Sequence, residues 1–194
     1  MPRVSELTRS TSETEISISL DLDGRGVADV SSGLGFLDHM LTSLARHSGI
    51  DMTLRAGGDT EVDDHHTVED CAIVLGRALV EALGERVGIA RFGSAYAPLD
   101  ESLSRAVVDL SGRSWAEIHV PFTMDAVGDV ATENLIHFMR SLAIEGRMSL
   151  HVDLIRGDND HHKAEASFKA LAMALRAAVA VVGETVPSTK GALG

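Results

Sequence analysis

With 194 residues, the chain is long enough for one compact domain or two fused half-size units, and its 44% apolar and 24% charged residues are typical of globular proteins. Its net charge of −12 argues against a nucleic-acid partner, because phosphate contacts need a basic surface, but allows one small phosphorylated ligand. The sequence contains no signal-like or membrane-length apolar segment, and its single cysteine agrees with a reducing compartment, so we expect a cytoplasmic protein without membrane contacts.

The first residues predict a small antiparallel unit. Apolar residues alternate strictly over 13–22, which is the pattern of a strand with one buried face, and 4–11 is a further candidate strand. The pair Asp23-Gly24 is a common two-residue hairpin turn. We therefore expect 27–30 to return antiparallel to the strand before the turn.

Two predicted helices carry most of the apolar residues of the rest of this half. The first helix covers about 36–47, a strand follows at 50–55, and 59–64 is an acidic loop. The second helix starts at His65 and has apolar residues at i, i+3 and i+4 spacing, with Gly84 as its expected C-cap.

The same order of elements then starts again in the second half. One or two strands are expected over 94–110, a return strand over 114–120, a turn-rich stretch near 125–130, and then a helix that carries His137. The remaining predicted elements are a strand at 150–155, a loop at 157–160 and a helix at 168–182.

Each half thus reads strand, strand, strand, helix, strand, helix. This internal repeat predicts an α+β fold made of a duplicated half-domain, with the helices sandwiched between two four-stranded mixed sheets. The halves are about 1–90 and 91–194. Because no linker rich in Gly, Pro or Ser separates them, we expect a single domain over 1–194.

One six-residue motif occurs once in each half, as Asp-His-His-x-x-Glu at 64–69 and at 160–165. Each copy follows a lone histidine in an apolar helical segment, His39 in the first half and His137 in the second. A histidine and a glutamate three or four residues apart share one face of a helix, so each copy presents a pair of potential metal ligands. A single histidine doublet is commonly a surface accident, but two matched copies favour a duplicated metal site.

The spacing favours two metal sites. Adjacent residues of a helix point about 100° apart, so the two members of a doublet are expected to serve different ions. Nitrogen and oxygen donors favour Mn, Fe, Zn, Ni or Co over Mg or Ca, and four protein ligands leave positions of an octahedral ion open for substrate. The candidate ligands, whose pairing the spacing leaves open, are His39, His65, His66, Glu69, His137, His161, His162 and Glu165. We expect Asp38, Asp64 and Asp160 to accept hydrogen bonds from imidazole N–H groups.

Segments along essentially the whole chain resemble the imidazoleglycerol-phosphate dehydratases of histidine biosynthesis. The matching segments are 36–41, 64–70, 91–93, 109–113, 150–152, 159–170 and 187–191. The resemblance implies an enzyme that removes water from D-erythro-1-(imidazol-4-yl)glycerol 3-phosphate to give 3-(imidazol-4-yl)-2-oxopropyl phosphate. It also implies a single catalytic domain that assembles through trimers into a 24-subunit homo-oligomer, with two Mn²⁺ ions at each active site shared between neighbouring subunits.

The resemblance further implies roles for individual residues. The eight candidate ligands bind the metal ions, and the substrate phosphate is bound by Arg91, Arg113, Lys169, Ser188 and Lys190. Glu13, Glu69 and Glu165 are candidates for the acid or base, and we favour Glu13 because a ligating carboxylate is less free to move protons. The segment 125–132 fits the family pattern poorly and receives no role.

Two other classes of function use similar residues. A two-metal hydrolase would use a bridging water as its nucleophile, but such sites usually depend on bridging aspartates, and the excess of histidine weighs against this class. A metal-storage shell without chemistry would also tolerate the acidic composition. Activity towards the imidazole substrate separates these alternatives.

Overall fold

The computed structural model describes residues 2–191 and 193 and confirms the predicted α+β architecture, with helices between two mixed four-stranded sheets. The elements of the first half are β1 Val4–Ser10, β2 Thr14–Asp21, β3 Ala28–Ser31, α1 Gly35–Ser48, β4 Asp51–Gly58 and α2 His65–Leu83. Those of the second half are β5 Phe92–Leu99, β6 Ser102–Asp109, β7 Trp115–His119, β8 Ala126–Val127, β9 Val130–Ala131, α3 Thr132–Glu145, β10 Ser149–Arg156 and α4 Asp160–Val179.

The two large sheets have the same topology, as the internal repeat predicts. Their strand orders are β1-β2-β4-β3 and β5-β6-β10-β7, and the short strands β8 and β9 form a separate hairpin. In each sheet the first three strands in this order pair antiparallel, and the last strand pairs parallel to its neighbour. Alternate residues of β2 and β6 are buried, because one face of each sheet packs on the helices.

The predicted hairpin at Asp23-Gly24 is wrong. The next strand, β3, does not pair with β2 but lies parallel to β4 on the far side of the sheet. The cause is a contact distant in sequence, since the Asp51 carboxylate accepts hydrogen bonds of 2.7 Å from the backbone N–H groups of both Arg25 and Val27. A Cβ atom on Gly24 would lie 2.4 Å from Cγ of Asp51, so only glycine lets the turn cross this carboxylate.

Two further predictions need correction in the second half. The strand expected to return over 114–120 is β7, but it pairs parallel with β10 instead of antiparallel with β6. The last helix begins at Asp160 and not at residue 168, because the Asn159 side chain accepts hydrogen bonds from the N–H groups of His161 and His162 and so caps the helix. The histidine doublet therefore lies in the first turn of α4. The turn-rich stretch contains the β8–β9 hairpin.

Helices from the two halves pack against each other. The α1 helix contacts α4, and α2 contacts α3, so each pair joins one half to the other. The aromatic centre of the core is formed by Phe138 and Phe168, both fully buried, with ring centroids 5.5 Å apart. Among the described helices, none combines the length and apolar character needed to cross a membrane. The pairing of helices across the repeat positions the functional residues described next.

Candidate metal centre

Two clusters, each of two histidines and one glutamate, lie where helices of the two halves meet. The first cluster consists of His39, His161 and Glu165, and the second cluster consists of His65, Glu69 and His137. Within each cluster, one potential ligand atom from each residue lies within 4.8 Å of the others. Each cluster combines the lone histidine of one half with the first doublet histidine and the glutamate of the other.

In the first cluster, two imidazoles face the same carboxylate oxygen. The Nε2 atoms of His39 and His161 lie 3.1 Å and 3.2 Å from Oε2 of Glu165, and the Nζ atom of Lys169 lies 2.6 Å from its Oε1. Burial alone would raise the pKa of Glu165, but the hydrogen bonds and charges of Lys169 and His39 outweigh it and lower that pKa to about 2. Glu165 is therefore ionised at neutral pH and can bind a cation.

The second cluster has an additional contact that fixes one of its imidazoles. The Nε2 atom of His137 lies 2.9 Å from Oε1 of Glu69, and Nε2 of His65 lies 3.8 Å from Oε2. The rings of His65 and His137 stack with centroids 5.0 Å apart. The Nδ1–H group of His65 donates to Oδ1 of Asn134 at 2.9 Å, which leaves Nε2 as the ring nitrogen with the lone pair directed at the cluster.

The second histidine of each doublet turns away from its own cluster. The Nδ1 atom of His66 lies 3.1 Å from Asp59 and 3.8 Å from Glu13, and the hydrogen bond with Asp59 raises the pKa of His66. In the same way, Nδ1 of His162 lies 2.7 Å from Glu101, whose hydrogen bond raises the pKa of His162. Within one chain, each doublet thus contributes one member to a cluster and directs the other elsewhere.

Asp59, Glu101 and Asn134 are partners of the histidines that sequence reasoning missed. Asp59 lies in the loop recognised as acidic, but nothing in its spacing indicates His66, and Glu101 gives no sequence signal at all. The partners predicted instead, Asp38, Asp64 and Asp160, are wrong. They accept hydrogen bonds from Ser32, from the N–H of Ala131, and from Thr123, Met124 and Lys163, respectively. Their side chains hold loops and helix ends, not imidazoles.

The predicted phosphate-binding residues form two separate groups within one chain. Lys169 contacts the first cluster, whereas Arg91 binds both oxygens of Asp109 at 2.7 and 3.1 Å and donates to the Pro187 carbonyl at 2.9 Å. Arg91 thereby holds residues 187–191, hereafter the tail, which contains Ser188 and Lys190. The backbone N–H of Arg91 bonds to Ala178, nine residues beyond Lys169 on α4 and therefore roughly 14 Å along the helix axis.

The remaining predicted site residues are exposed, except Ser188, which is partly buried. Arg113 follows a tight turn in which its own N–H donates to Oγ of Ser111. Oγ of Ser188 accepts a hydrogen bond from the N–H of Lys190, and Lys190 itself is exposed. Glu13 is half exposed and lies beside His66, outside both clusters. Cationic groups for one phosphate are therefore present in the chain.

Comparison with known proteins gives one consistent family. The sequence profile described as imidazoleglycerol-phosphate dehydratase matches residues 32–175. A protein of that name from Granulibacter bethesdensis is 53% identical over an alignment of 196 positions that covers all of both chains. One from Chlorobium luteolum is 52% identical and covers 99% of this chain and 96% of its own. A third, from Phytophthora nicotianae, is 57% identical, and the chain spans only 42% of that relative's length.

Solved structures give the same result. The crystal structure of imidazoleglycerol-phosphate dehydratase from Staphylococcus aureus superimposes with a TM-score of 0.84 at 37% identity, covering 92% of this chain and 99% of the other. The corresponding enzyme from Pyrococcus furiosus, in complex with (S)-C348, also gives a TM-score of 0.84, at 38% identity, covering 96% of this chain and 100% of the other.

Proposed function

The chain belongs to the imidazoleglycerol-phosphate dehydratases, hydro-lyases of histidine biosynthesis, and from this premise we propose that it dehydrates D-erythro-1-(imidazol-4-yl)glycerol 3-phosphate with the help of two Mn²⁺ ions. The product would be 3-(imidazol-4-yl)-2-oxopropyl phosphate. The observation that carries the proposal is the pair of clusters, each with two imidazoles and one carboxylate within 4.8 Å. A cytoplasmic location is part of the proposal.

The donor set of each cluster fits a transition-metal ion of the manganese type. Mixed imidazole and carboxylate donors suit Mn²⁺ better than Mg²⁺ or Ca²⁺, which prefer oxygen ligands alone. One ion would be held by the first cluster and the other by the second. Three donors leave room on each ion for a further protein ligand and for substrate.

We propose that these further ligands are His66 and His162 of neighbouring subunits. Both face away from the clusters of their own chain, and both have a carboxylate at Nδ1, the usual partner of a histidine that binds metal through Nε2. The two groups of phosphate-binding residues also support a shared site, because the backbone of Arg91 meets α4 at Ala178, roughly 14 Å along the helix axis from Lys169. A homo-oligomer built from trimers, with 24 subunits in all, would bring them together.

The chemistry requires a place for negative charge. The hydrogen to be removed is not beside a carbonyl, so no ordinary enolate can accept the charge. When bound, the ions would withdraw charge from the substrate imidazole and make its ring the acceptor. Glu13 is our candidate for proton transfer, because its carboxylate lies outside both clusters and 3.8 Å from His66. Glu69 and Glu165 would serve as metal ligands, and a ligating carboxylate is less free to move protons.

The phosphate of the substrate would be bound by the remaining charged residues. Lys169 places an ammonium group beside the first cluster, and Arg91 orients the tail through its hydrogen bond to Pro187. The Lys190 and Arg113 side chains are exposed and can meet a phosphate directly. Ser188 would add a hydroxyl donor.

Purified protein incubated with Mn²⁺ and the imidazoleglycerol phosphate tests this function through the absorbance of the enol form of the product. We expect product only when both metal and substrate are present. A hydrolase would instead release inorganic phosphate, and a storage shell would bind metal without changing the substrate. His66→Ala should lose both metal and activity, and unchanged metal content in this variant would refute its assignment as a ligand.

A further inference from the structure

A segment without a counterpart in the first half contacts several of the helices that carry the clusters. The connection from β3 to α1 consists of residues 32–34, whereas that from β7 to α3 consists of residues 120–131 and contains the β8–β9 hairpin. We call residues 121–131 the bridging segment. Because the fold does not need this length to join a strand to a helix, its contacts require an explanation.

At one end, the bridging segment caps helix α1. The carboxylate of Asp129 accepts hydrogen bonds from the N–H of Gly35 at 2.5 Å and from the N–H of Phe36 at 2.9 Å. The residue at the N-cap position, Leu34, offers no side-chain acceptor of its own. Asp129 therefore satisfies two of the four N–H groups that a helix start leaves unpaired, and it does so from the other half of the chain.

At its other end, the same segment is bound to helix α4. The Asp160 carboxylate accepts hydrogen bonds from the N–H groups of Thr123 and Met124, at 2.8 and 2.6 Å, and from the Thr123 hydroxyl at 3.0 Å. Asp160 is 3% exposed and also pairs with the buried Lys163 at 2.7 Å. This end of the segment is thus firmly fixed to the helix that carries His161 and Glu165.

A packing contact connects the same two helices a second time. Gly128 has a φ of +62°, and a Cβ atom there would lie 3.1 Å from Cβ of Phe36. The Phe36 ring in turn meets His161 of α4 edge to face, with centroids 5.2 Å apart. The bridging segment therefore contacts both helices of the first cluster. It forms hydrogen bonds with the starts of α1 and α4, and it packs against the Phe36 side chain.

The second cluster is held by a different contact, which the last residue of the bridging segment makes without Asp129. The Asp64 carboxylate, at the start of α2, accepts a hydrogen bond of 2.9 Å from the N–H of Ala131, at the start of α3. This bond joins the two helices of the second cluster directly and does not pass through Asp129. Loss of Asp129 should therefore disturb one cluster and spare the other.

We propose that Asp129 is a positioning residue that holds α1 against α4 and so sets the separation of His39 from Glu165 in the first cluster. The proposal rests on the proposed function only for the identity of the ion, since the geometry it concerns exists in the protein alone. Replacing a residue that orients metal ligands typically weakens metal binding by about 10-fold to 100-fold. We expect such a loss at the first cluster.

Crystal structures of metal-free Asp129→Ala and of the parent protein test the geometry. In the variant, the distance from His39 Nε2 to Glu165 Oε2 should exceed hydrogen-bond reach, against 3.1 Å in the parent, while His137 to Glu69 should remain near 2.9 Å. Asp125→Ala, in the same segment and with the same change of charge, is the control and should alter neither distance. Unchanged distances in Asp129→Ala, or equal changes at both clusters, would overturn the proposal.

Mn²⁺ titration measures the effect on each cluster separately. In a Glu69→Ala background, which leaves the first cluster intact, adding Asp129→Ala should weaken Mn²⁺ binding by about tenfold or more. In a Glu165→Ala background, which leaves the second cluster intact, adding Asp129→Ala should leave Mn²⁺ binding unchanged. Asp129→Asn keeps one acceptor oxygen, so its Mn²⁺ affinity in the Glu69→Ala background should lie between those of the parent and of Asp129→Ala. If the parent protein bound no Mn²⁺, the proposed function would fail, and the two distances would still decide the role of Asp129.

Discussion

The Nε2 atom of His137 lies 2.9 Å from Oε1 of Glu69, so a histidine of the second half meets a glutamate of the first. The equivalent contact, from His39 to Glu165 at 3.1 Å, crosses in the opposite direction. A duplicated motif could have given each half a cluster of its own. Instead, exchange of the lone histidines makes each cluster depend on the packing of both halves.

Because the clusters are equivalent, each glutamate should account for one ion. We expect Glu165→Gln and Glu69→Gln each to lower the manganese content from two ions per chain to one, since an amide offers no negative charge to the cation. Elemental analysis after gel filtration measures this content. Glu145→Gln, which removes a glutamate paired with Arg77 away from both clusters, should keep both ions. Loss of both ions in either single variant would contradict independent sites.

The sequence predicts the residues of the clusters better than their arrangement. Spacing identifies the two histidine doublets and the glutamates Glu69 and Glu165, because ligands on one helix face repeat with the helical period. It leaves open which member of each doublet joins the cluster, and the structure places His65 and His161 there. It cannot predict that His39 meets Glu165, because that contact depends on how α1 packs on α4. Partners in loops, such as Glu101 for His162, follow no period and give no signal in the sequence.

The errors in topology have the same origin. The local signal at Asp23-Gly24 favours a hairpin, but Asp51, distant in sequence, binds the backbone after the turn and directs the chain across the sheet. Likewise, the turn-rich composition of 125–130 reveals a loop but not that Asp129 caps a helix of the other half. Local propensity predicts which elements form, whereas contacts between distant residues decide how they are joined.

Replacing Lys190 should weaken substrate binding without changing the manganese content. Its side chain is exposed, and the described hydrogen bond of this residue is made by its backbone N–H to Ser188. Loss of one charged contact to phosphate weakens binding by about 1.5–3 kcal/mol, so Lys190→Ala should raise KM at least about tenfold at unchanged manganese content. Steady-state kinetics measure this change, with the exposed Arg176→Ala as the control. An unchanged KM would exclude Lys190 from the phosphate site.

Asp51 should make stability depend on pH in the acid range. Hydrogen bonds from the backbone of Val27 and Arg25 lower the pKa of Asp51 below its usual value of 3.8. Its stabilising effect is therefore complete above about pH 3.8 and is lost as the pH falls through the lower, folded-state pKa. We expect Asp51→Asn to unfold more easily by about 1 kcal/mol at pH 7, and the difference to shrink below pH 4.

Denaturant midpoints at fixed protein concentration measure the pH effect of Asp51. Asp29→Asn, which changes an exposed carboxylate paired with Arg55, is the matched control and should show a smaller difference at neutral pH. A difference between wild type and Asp51→Asn that stays constant down to pH 3 would show that the charge of Asp51 does not stabilise the turn.

Arg86 should destabilise the isolated subunit. It is 6% exposed, its Nε has no hydrogen-bond partner within the described part of the chain, and burial together with the nearby charge of Arg147 lowers its pKa. A buried guanidinium that is incompletely paired loses hydration without full compensation. Arg86→Met keeps the length of the side chain and removes this penalty, so we expect it to raise the free energy of unfolding by about 1 kcal/mol.

Thermal or denaturant unfolding of Arg86→Met measures this gain, and Arg176→Met, at an exposed position of α4, should change stability by less than about 0.5 kcal/mol. A destabilised Arg86→Met would mean that the guanidinium has a partner after all. The effect of protein concentration on this loss of stability then locates the partner. A contact within the subunit is independent of concentration, whereas a contact between subunits weakens on dilution. If Arg86→Met were destabilised only at high protein concentration, Arg86 would therefore belong to a subunit interface.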